Sequence, residues 1–451
     1  MKIHVKLCLT LLVVLMVGGC TSKSDPPNVI LITIDTLCAD HLGCYGYSRN
    51  TSPNFDSFAA SATRYSRSYA SSPWTLPTHA SMFTGLDPDR HGARTIETQK
   101  PSNNVKSLDE QSETLAEVMS AQGYRTGAIV ANDGYLDKRW GLDQGFESYN
   151  VERVRAVRIN AKVDEWLGQN GQDNFFLFIN YMDTHRPYDT TPRLEFLNPP
   201  APHDSRKLLD QLIAEVMPAT GGAFPADLVQ DVIDQYDTSI ANFDEQFGQL
   251  IASLKARGLM ENTVLVVTSD HGEFFGEHDL VEHSKDVYQE VLHVPLAVLW
   301  PGQQPGEVVH DMVSSSDLPG MILDACGMGA ATDQFLKRPG NHPVISSNWY
   351  TRTKDLYHPE WGHRFQRVRH VLFDWPYKYI DSSDGQHELY DLSVDPGEQE
   401  NLVMSLESVA GNMQMILRAA VTDDGGDDYP APAQLDAATK RRLKSLGYIS
   451  E

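Results

Sequence analysis

Short apolar runs alternate with amphipathic stretches along most of this chain. Residues 28–34, Asn-Val-Ile-Leu-Ile-Thr-Ile, are almost continuously apolar and rich in β-branched side chains, which predicts a strand buried on both faces. The same signal recurs at 126–131, 174–181, 263–268 and 294–300. Between these runs the apolar positions fall every three or four residues. Helices are predicted at 52–62 (Phe55, Phe58 and Ala59 on one face), 112–122, 151–170 (Val163, Trp166 and Leu167) and 318–326. The longest is 228–257, where Tyr236, Ile240, Phe243, Phe247, Leu250 and Leu254 form a core-facing stripe. Strands alternating with helices predict an α/β fold with a large, doubly wound and mostly parallel sheet flanked by helices.

Residues 190–226 are rich in Pro and Gly and lack a period, so they read as an insertion with a short helix at 208–216. Further on the pattern changes. Short strands at 367–373, 377–380 and 388–391, separated by Gly, Asp and Pro, predict a small antiparallel C-terminal subdomain. Asp423-Asp-Gly-Gly-Asp-Asp428 reads as a solvated linker to a basic helix at 435–446.

The N-terminal segment changes the picture of where the domain resides. Lys2 and Lys6 precede an apolar stretch, 7–17, that is too short to span a bilayer. Val17-Gly-Gly-Cys20 resembles the lipobox of bacterial lipoproteins, which implies acylation of Cys20 after removal of residues 1–19 as a signal peptide. Residues 20–27 then form a polar tether. The expected place is the cell envelope, with the protein membrane-anchored through Cys20 and facing the periplasm or the exterior. A formal net charge of −24 excludes nucleic acid as a natural partner, because phosphate contacts need clustered Lys and Arg. With Cys8 removed and Cys20 lipidated, Cys38, Cys44 and Cys326 remain, and a Cys38–Cys44 bridge is possible in an oxidising compartment.

Three segments carry candidate chemistry. Asp35 follows the first strand, and Ser269-Asp270-His271-Gly272-Glu273 follows the strand at 263–268. In open α/β sheets ligands bind beyond the carboxyl ends of strands. The third is Thr75-Leu-Pro-Thr-His79, read as a helix start with Pro77 at the first helical position and Thr75 or its neighbour as cap. A threonine hydroxyl there lies among unpaired N–H groups at the positive end of the helix dipole, a place that attracts tetrahedral anions. Asp35, Asp270, His271 and Thr75 together suit one divalent metal ion (Ca, Mn, Mg or Zn) and a hydroxyl nucleophile activated beside it.

Several separated motifs, in order, resemble the sulfatase family of the alkaline phosphatase superfamily over nearly the whole mature length. They are Pro27-Asn-Val-Ile-Leu-Ile-Thr-Ile-Asp35, Gly43-Cys-Tyr-Gly46, Ser52-Pro-Asn-Phe-Asp56 and Thr75-Leu-Pro-Thr-His79, with Thr84-Gly85 and His91-Gly92. Asp183-Thr-His185, Ser269-Asp-His-Gly-Glu-Phe-Phe-Gly-Glu-His278 and the late Glu388-Leu-Tyr-Asp-Leu-Ser-Val-Asp-Pro-Gly-Glu-Gln-Glu-Asn-Leu402 follow. The resemblance implies an alkaline-phosphatase-like sandwich, a catalytic domain at 28–335, a small α+β subdomain at 336–422, and a linker with terminal helix at 423–451. It makes Asp35, Asp270 and His271 metal ligands, Thr75 the nucleophile position, and His185 and Lys285 contacts to the anionic oxygens of the substrate. His283 is a further substrate-binding candidate, and a second metal would draw ligands from its loop and from His278.

Three departures from the family pattern matter. Thr75 stands where sulfatases carry a Cys or Ser that becomes formylglycine, and threonine cannot give that aldehyde because its β-carbon bears a methyl group. His79, a catalytic candidate by position, replaces the signature Arg, and Thr36 replaces a second Asp ligand. The set is closer to phospho-transferring relatives. The expected activity is a metal-dependent hydrolase or transferase of anionic esters, phosphate mono- or diester or phosphonate, acting on a small-molecule, glycan or lipid-headgroup substrate. The alternatives are a sulfuric ester hydrolase acting on sulfated glycans or aryl sulfates, and an inactive glycan-binding lipoprotein that retains the metal pocket.

Overall fold

The computed structural model of the chain describes residues 26–96, 105–188, 196, 205–218, 225–302, 306–328, 335, 337–340, 342–350, 353–421 and 441. The signal peptide, Cys20, most of the tether and nearly all of the terminal linker and helix lie outside the described residues. Among the described residues no helix is long and apolar enough to cross a membrane.

The predicted alternation of strands and helices folds into one large sheet. In chain order its strands are β1 (Asn28–Ile34), β2 (Thr63–Tyr69), β3 (Arg125–Val130), β4 (Ser148–Val151), β5 (Phe175–Tyr181) and β6 (Thr263–Ser269). A small hairpin of β7 (Phe274–Phe275) and β8 (Val281–Glu282) interrupts, and β9 (Leu296–Leu299) and β10 (Glu307–Ser314) complete the sheet. The spatial order is β10-β2-β9-β6-β1-β5-β3-β4, and β9 alone runs against the rest. β1 lies at the centre between β5 and β6, which explains its uninterrupted apolar sequence, since both of its faces are covered by helices. On one side the Thr75–Thr84 helix packs with Leu115–Ala121 and Leu318–Ala325. On the other the 31-residue helix Ala226–Ala256 packs with Pro53–Ala59 and Ala156–Asn170.

A second, antiparallel sheet follows in the order β11 (Val344–Trp349), β12 (Val368–Asp374), β13 (Tyr377–Ser382) and β14 (Glu388–Asp391). One face carries the Glu407–Ala420 helix through Ile345, Leu372, Tyr379, Leu389, Ala410, Met413 and Leu417. The other face packs on the large sheet's unit, where Phe373 stacks on Tyr69 with centroids 3.8 Å apart.

The structure corrects several expectations. Val151 ends β4, and the helix expected from 151 begins at Ala156. The helix that carries Thr75 starts at that residue, so Pro77 is its third residue, and neither Thr75 nor its neighbour Trp74 caps it through a side chain. No disulfide joins Cys38 to Cys44; Cys38, Cys44 and Cys326 are free thiols. Cys38 is buried where its sulfur accepts the Glu273 N–H, and it points toward the carbonyl of Glu290 rather than toward Cys44.

Candidate functional site

The register of the sheet assembles the site. Ile34 pairs with Ser269 across β1 and β6, so the next residues, Asp35 and Asp270, emerge side by side at the carboxyl rim. One oxygen of each carboxylate is secured. Asp35 Oδ2 accepts from Asn132 Nδ2 at 2.7 Å, and Asp270 Oδ1 accepts the backbone N–H of Thr36 at 3.2 Å and of His271 at 3.0 Å. The other oxygens, Asp35 Oδ1 and Asp270 Oδ2, are buried and lack a hydrogen bond of normal geometry. One carboxylate oxygen from each acid and a nitrogen of His271 lie within 4.8 Å of one another. His271 is held by its Nδ1, which donates to the Gly272 carbonyl at 2.9 Å, and that leaves the Nε2 lone pair for the site. Burial, then the neighbouring Asp270 charge, pushes the Asp35 carboxyl up to about 8, and burial pushes Asp270 up to about 7. Two buried acids with one orphaned oxygen each, beside a ring nitrogen, form a donor set that a divalent cation fits.

Thr75 opens a ten-residue helix that is buried along its whole length and closed by Gly85 in the left-handed conformation. Its Oγ1 lies 3.3 Å from His271 Nε2. Thr36, which stands at a ligand position of the family, instead donates its hydroxyl to the Thr184 carbonyl, and Tyr236 donates to the Thr36 carbonyl at 2.6 Å. These two bonds hold its backbone at a φ of 59°.

His79, the catalytic candidate on the same helix, has its Nδ1 3.7 Å from Asp270 Oδ2. It lies beneath the helix, with no exposure, between Phe83 and Phe178. Its Nδ1 donates to the Thr75 carbonyl at 2.8 Å and its Nε2 accepts from Thr33 Oγ1 at 3.0 Å, while Asn180 donates to Thr33. Burial holds its ring down to about 3, so it is neutral and supports the backbone of Thr75 from behind.

His185 and His283 continue the row of imidazoles begun by His271. Ring centroids are 4.5 Å apart from His271 to His283 and 5.3 Å from His283 to His185. His283 Nδ1 contacts Glu273 Oε1 at 3.1 Å. Lys285 is buried and donates to Glu282 at 2.8 Å, with Asp355 at 3.8 Å; Arg186 meets the other Glu282 oxygen at 2.7 Å. The loop carrying these residues reaches the segment before Thr75 through the Ser284 N–H, which donates to the Pro73 carbonyl at 2.9 Å. His278 joins Glu290 and Glu398 in a second group of the right spacing for a metal, but Lys378 Nζ already sits 2.6 Å from Glu398 Oε1 as an internal cation. His41, facing Asp237 at 2.7 Å, and His91, bridging Ser81 and Pro77, order loops.

Sequence reasoning misses Asn132, Arg186, Glu282 and Asp355. Asn132 carries a readable signal, since it follows a strand as Asp35 and Asp270 do, although Asn-Asp-Gly reads more simply as a turn.

Against known proteins, a family model described as Sulfatase matches residues 27–328. The chain belongs to the sulfatase family. A second model, N-sulphoglucosamine sulphohydrolase, C-terminal, matches residues 276–422. Among similar proteins is arylsulfatase K of Bos taurus, 25% identical over 90% of this chain and 83% of its own length. The phosphonate monoester hydrolase of Agrobacterium radiobacter shares the fold with a TM-score of 0.68 at 20% identity, covering 91% of this chain and all of that one. So does a protein solved with its substrate D-glucosamine-2-N,6-O-disulfate, at a TM-score of 0.69 and 18% identity over 90% of this chain and all of that one. This sulfatase-family member is a hydrolase acting on ester bonds.

Proposed function

We propose that this sulfatase-family member is an exported, membrane-anchored enzyme that cleaves or transfers anionic esters through Thr75. The observation that carries the reading is Thr75 Oγ1 at the head of a buried helix, 3.3 Å from His271 Nε2, which itself lies 3.4 Å from the orphaned Asp270 Oδ2. Asp35, Asp270 and His271 would hold one divalent cation of the Ca, Mn, Mg or Zn class. When bound, that ion neutralises charge on the transferring group and favours the ionised hydroxyl. The first N–H groups of the Thr75 helix face the anion, and His185 and Lys285 approach its oxygens from the Asp183–His185 and 281–286 segments. Attack by Thr75 Oγ forms an oxygen–phosphorus bond as the ester oxygen leaves, and water or an acceptor alcohol then resolves the phosphothreonine.

Phosphorus is favoured over sulfur by the chemistry of threonine. A phosphothreonine opens by attack of water at phosphorus, whereas a sulfated threonine lacks the aldehyde-forming exit that formylglycine provides. The sulfate-ester reading has its own support in the arylsulfatase relatives and in the sulphohydrolase model over 276–422. The test is turnover of matched aryl phosphate, phosphodiester, phosphonate and sulfate esters by purified, metal-replete protein. Phosphorus esters are expected to be the better substrates, and Thr75→Ala to cost several orders of magnitude while Thr75→Ser keeps part of the rate. Preference for aryl sulfates refutes the phosphorus assignment, and full activity in Thr75→Ala refutes the nucleophile.

A further inference from the structure

A cleft of about 540 Å³ lies between the β2–β10 side of the large sheet and the second sheet, and none of the residues gathered around Thr75 lines it. Its volume is that of a small-molecule site. Arg67 of β2 and His310 of β10 line it from the large sheet, and Trp375 from the turn between β12 and β13. Asp40, Gln289 and Glu290 line it from the connections between strands.

The lining asks for a ligand that both donates and accepts hydrogen bonds. Arg67 sits over Trp375 with its guanidinium carbon 3.6 Å from the ring centroid, and its Nη1 donates to the His310 carbonyl at 2.9 Å. Among the described residues no carboxylate pairs with Arg67, so its other N–H groups are left for solvent or a ligand. Gln289 Oε1 and Glu290 Oε2 are buried and accept no hydrogen bond, which is costly for each without a donor. Trp375 keeps 38% exposure, a large aromatic left open in a cleft. A bare anion is disfavoured there by Asp40 and Glu290. A bare cation is disfavoured by Arg67, which also covers a face of Trp375 that a cation would take. A saccharide meets both demands. Its hydroxyl hydrogens satisfy the orphaned oxygens, its hydroxyl oxygens accept from Arg67, and its C–H surface packs on Trp375.

We propose that this cleft is a second, non-catalytic binding site for an uncharged saccharide unit, one that bears no sulfate or phosphate ester. The test is calorimetric titration of the purified full-length protein with glucose, galactose, N-acetylglucosamine and their methyl β-glycosides. At least one probe is expected to bind with a Kd on the order of 1 mM. Trp375→Ala should weaken that probe about three- to tenfold, as loss of an aromatic packing surface does, and Trp375→Phe should restore most of the loss. Glu290→Gln, which replaces a charged acceptor with a neutral one, should weaken it about fivefold. Circular dichroism checks that each variant keeps its fold, and Trp375, at the surface, is the position most tolerant of change. No binding of any probe up to about 20 mM overturns the proposal, as does binding that Trp375→Ala leaves unchanged. Because the probes carry no ester, failure of the ester chemistry at Thr75 leaves this test standing.

Discussion

Replacing Asp35 with asparagine should stabilise the metal-free protein and destabilise the metal-bound one. Asp35 is fully buried beside Asp270, and burial with that neighbouring charge lifts its carboxyl from 3.8 to about 8. Its folded value is thus above its unfolded value, so between pH 4 and 8 the metal-free native state holds a proton that the unfolded chain has released. Stability then falls as pH rises through this window, by about 1.4 kcal/mol per pH unit for one proton. From pH 5 to pH 8 the loss is on the order of 4 kcal/mol, and asparagine, which does not ionise, avoids it. For a chain of 451 residues the unfolding entropy is roughly 0.9 kcal/mol/K at about 2.1 cal/mol/K per residue, so the shift in Tm is about 4 °C. A divalent ion opposes this difference and reverses the order once it is in about ten-thousandfold excess over Kd, where it adds about 5.4 kcal/mol to the wild type and much less to the variant. The assay is thermal unfolding of both proteins at pH 5 and pH 8, in chelator and in excess Ca²⁺ or Mn²⁺. A wild-type-to-variant difference in Tm that is the same at both pH values in chelator would refute the reasoning, as would no response to the ion.

Three further outcomes are expected. Asn132→Ala removes the donor that orients Asp35 and should weaken metal affinity about 10- to 100-fold, measured by titration with a chelator of known affinity, with the fold intact by circular dichroism. Arg369→Met leaves Asp286 buried without its main partner. Burial would raise that acid, and Arg369 and Arg367 instead hold it at about 2, so denaturant unfolding should show a loss of about 3–5 kcal/mol. The full-length protein should partition into detergent and carry acyl chains on Cys20, by mass spectrometry of its N-terminal peptide, whereas Cys20→Ser should remain in the aqueous phase; a mature N-terminus beyond Cys20 contradicts the anchor.

The central strands are legible because burial on both faces leaves few polar positions in them: β1, β5 and β6 each read as one nearly continuous apolar run. β2 and β10 are not, because they lie toward the sheet's edge and mix polar with apolar residues, as in Glu307-Val-Val-His-Asp-Met-Val-Ser314. β4 is short and runs straight into apolar Val151 and Val154, so its end merges with the helical pattern that follows. At the site, Asp35, Asp270 and His271 are visible as polar residues ending apolar runs. What periodicity does not reveal is direction. His79 sits four residues after Thr75 on the same helix, yet it faces the core, and its partner Thr33, itself held by Asn180, comes from a distant strand. Of the two carboxylates beside Lys285, Glu282 is local but Asp355 is equally remote and arrives from the C-terminal part of the chain.

Arg369 and Lys378 have a consequence for how this enzyme can diversify. Asp286 follows Lys285 directly and is gripped by Arg369 and Arg367, while Lys378 donates to the Val287 carbonyl at 2.7 Å and Glu398 accepts the Gln289 N–H at 2.7 Å. The loop that carries His283 and Lys285 is therefore moored to the second sheet and its flanks at three residues, Asp286, Val287 and Gln289. A C-terminal half grafted from a relative would bring its own moorings and would tug on the reaction centre as well as on specificity. Exchange between lineages should succeed when the crossover lies before the 281–289 loop and fail when it lies after it, so that loop and second sheet are inherited as one cassette.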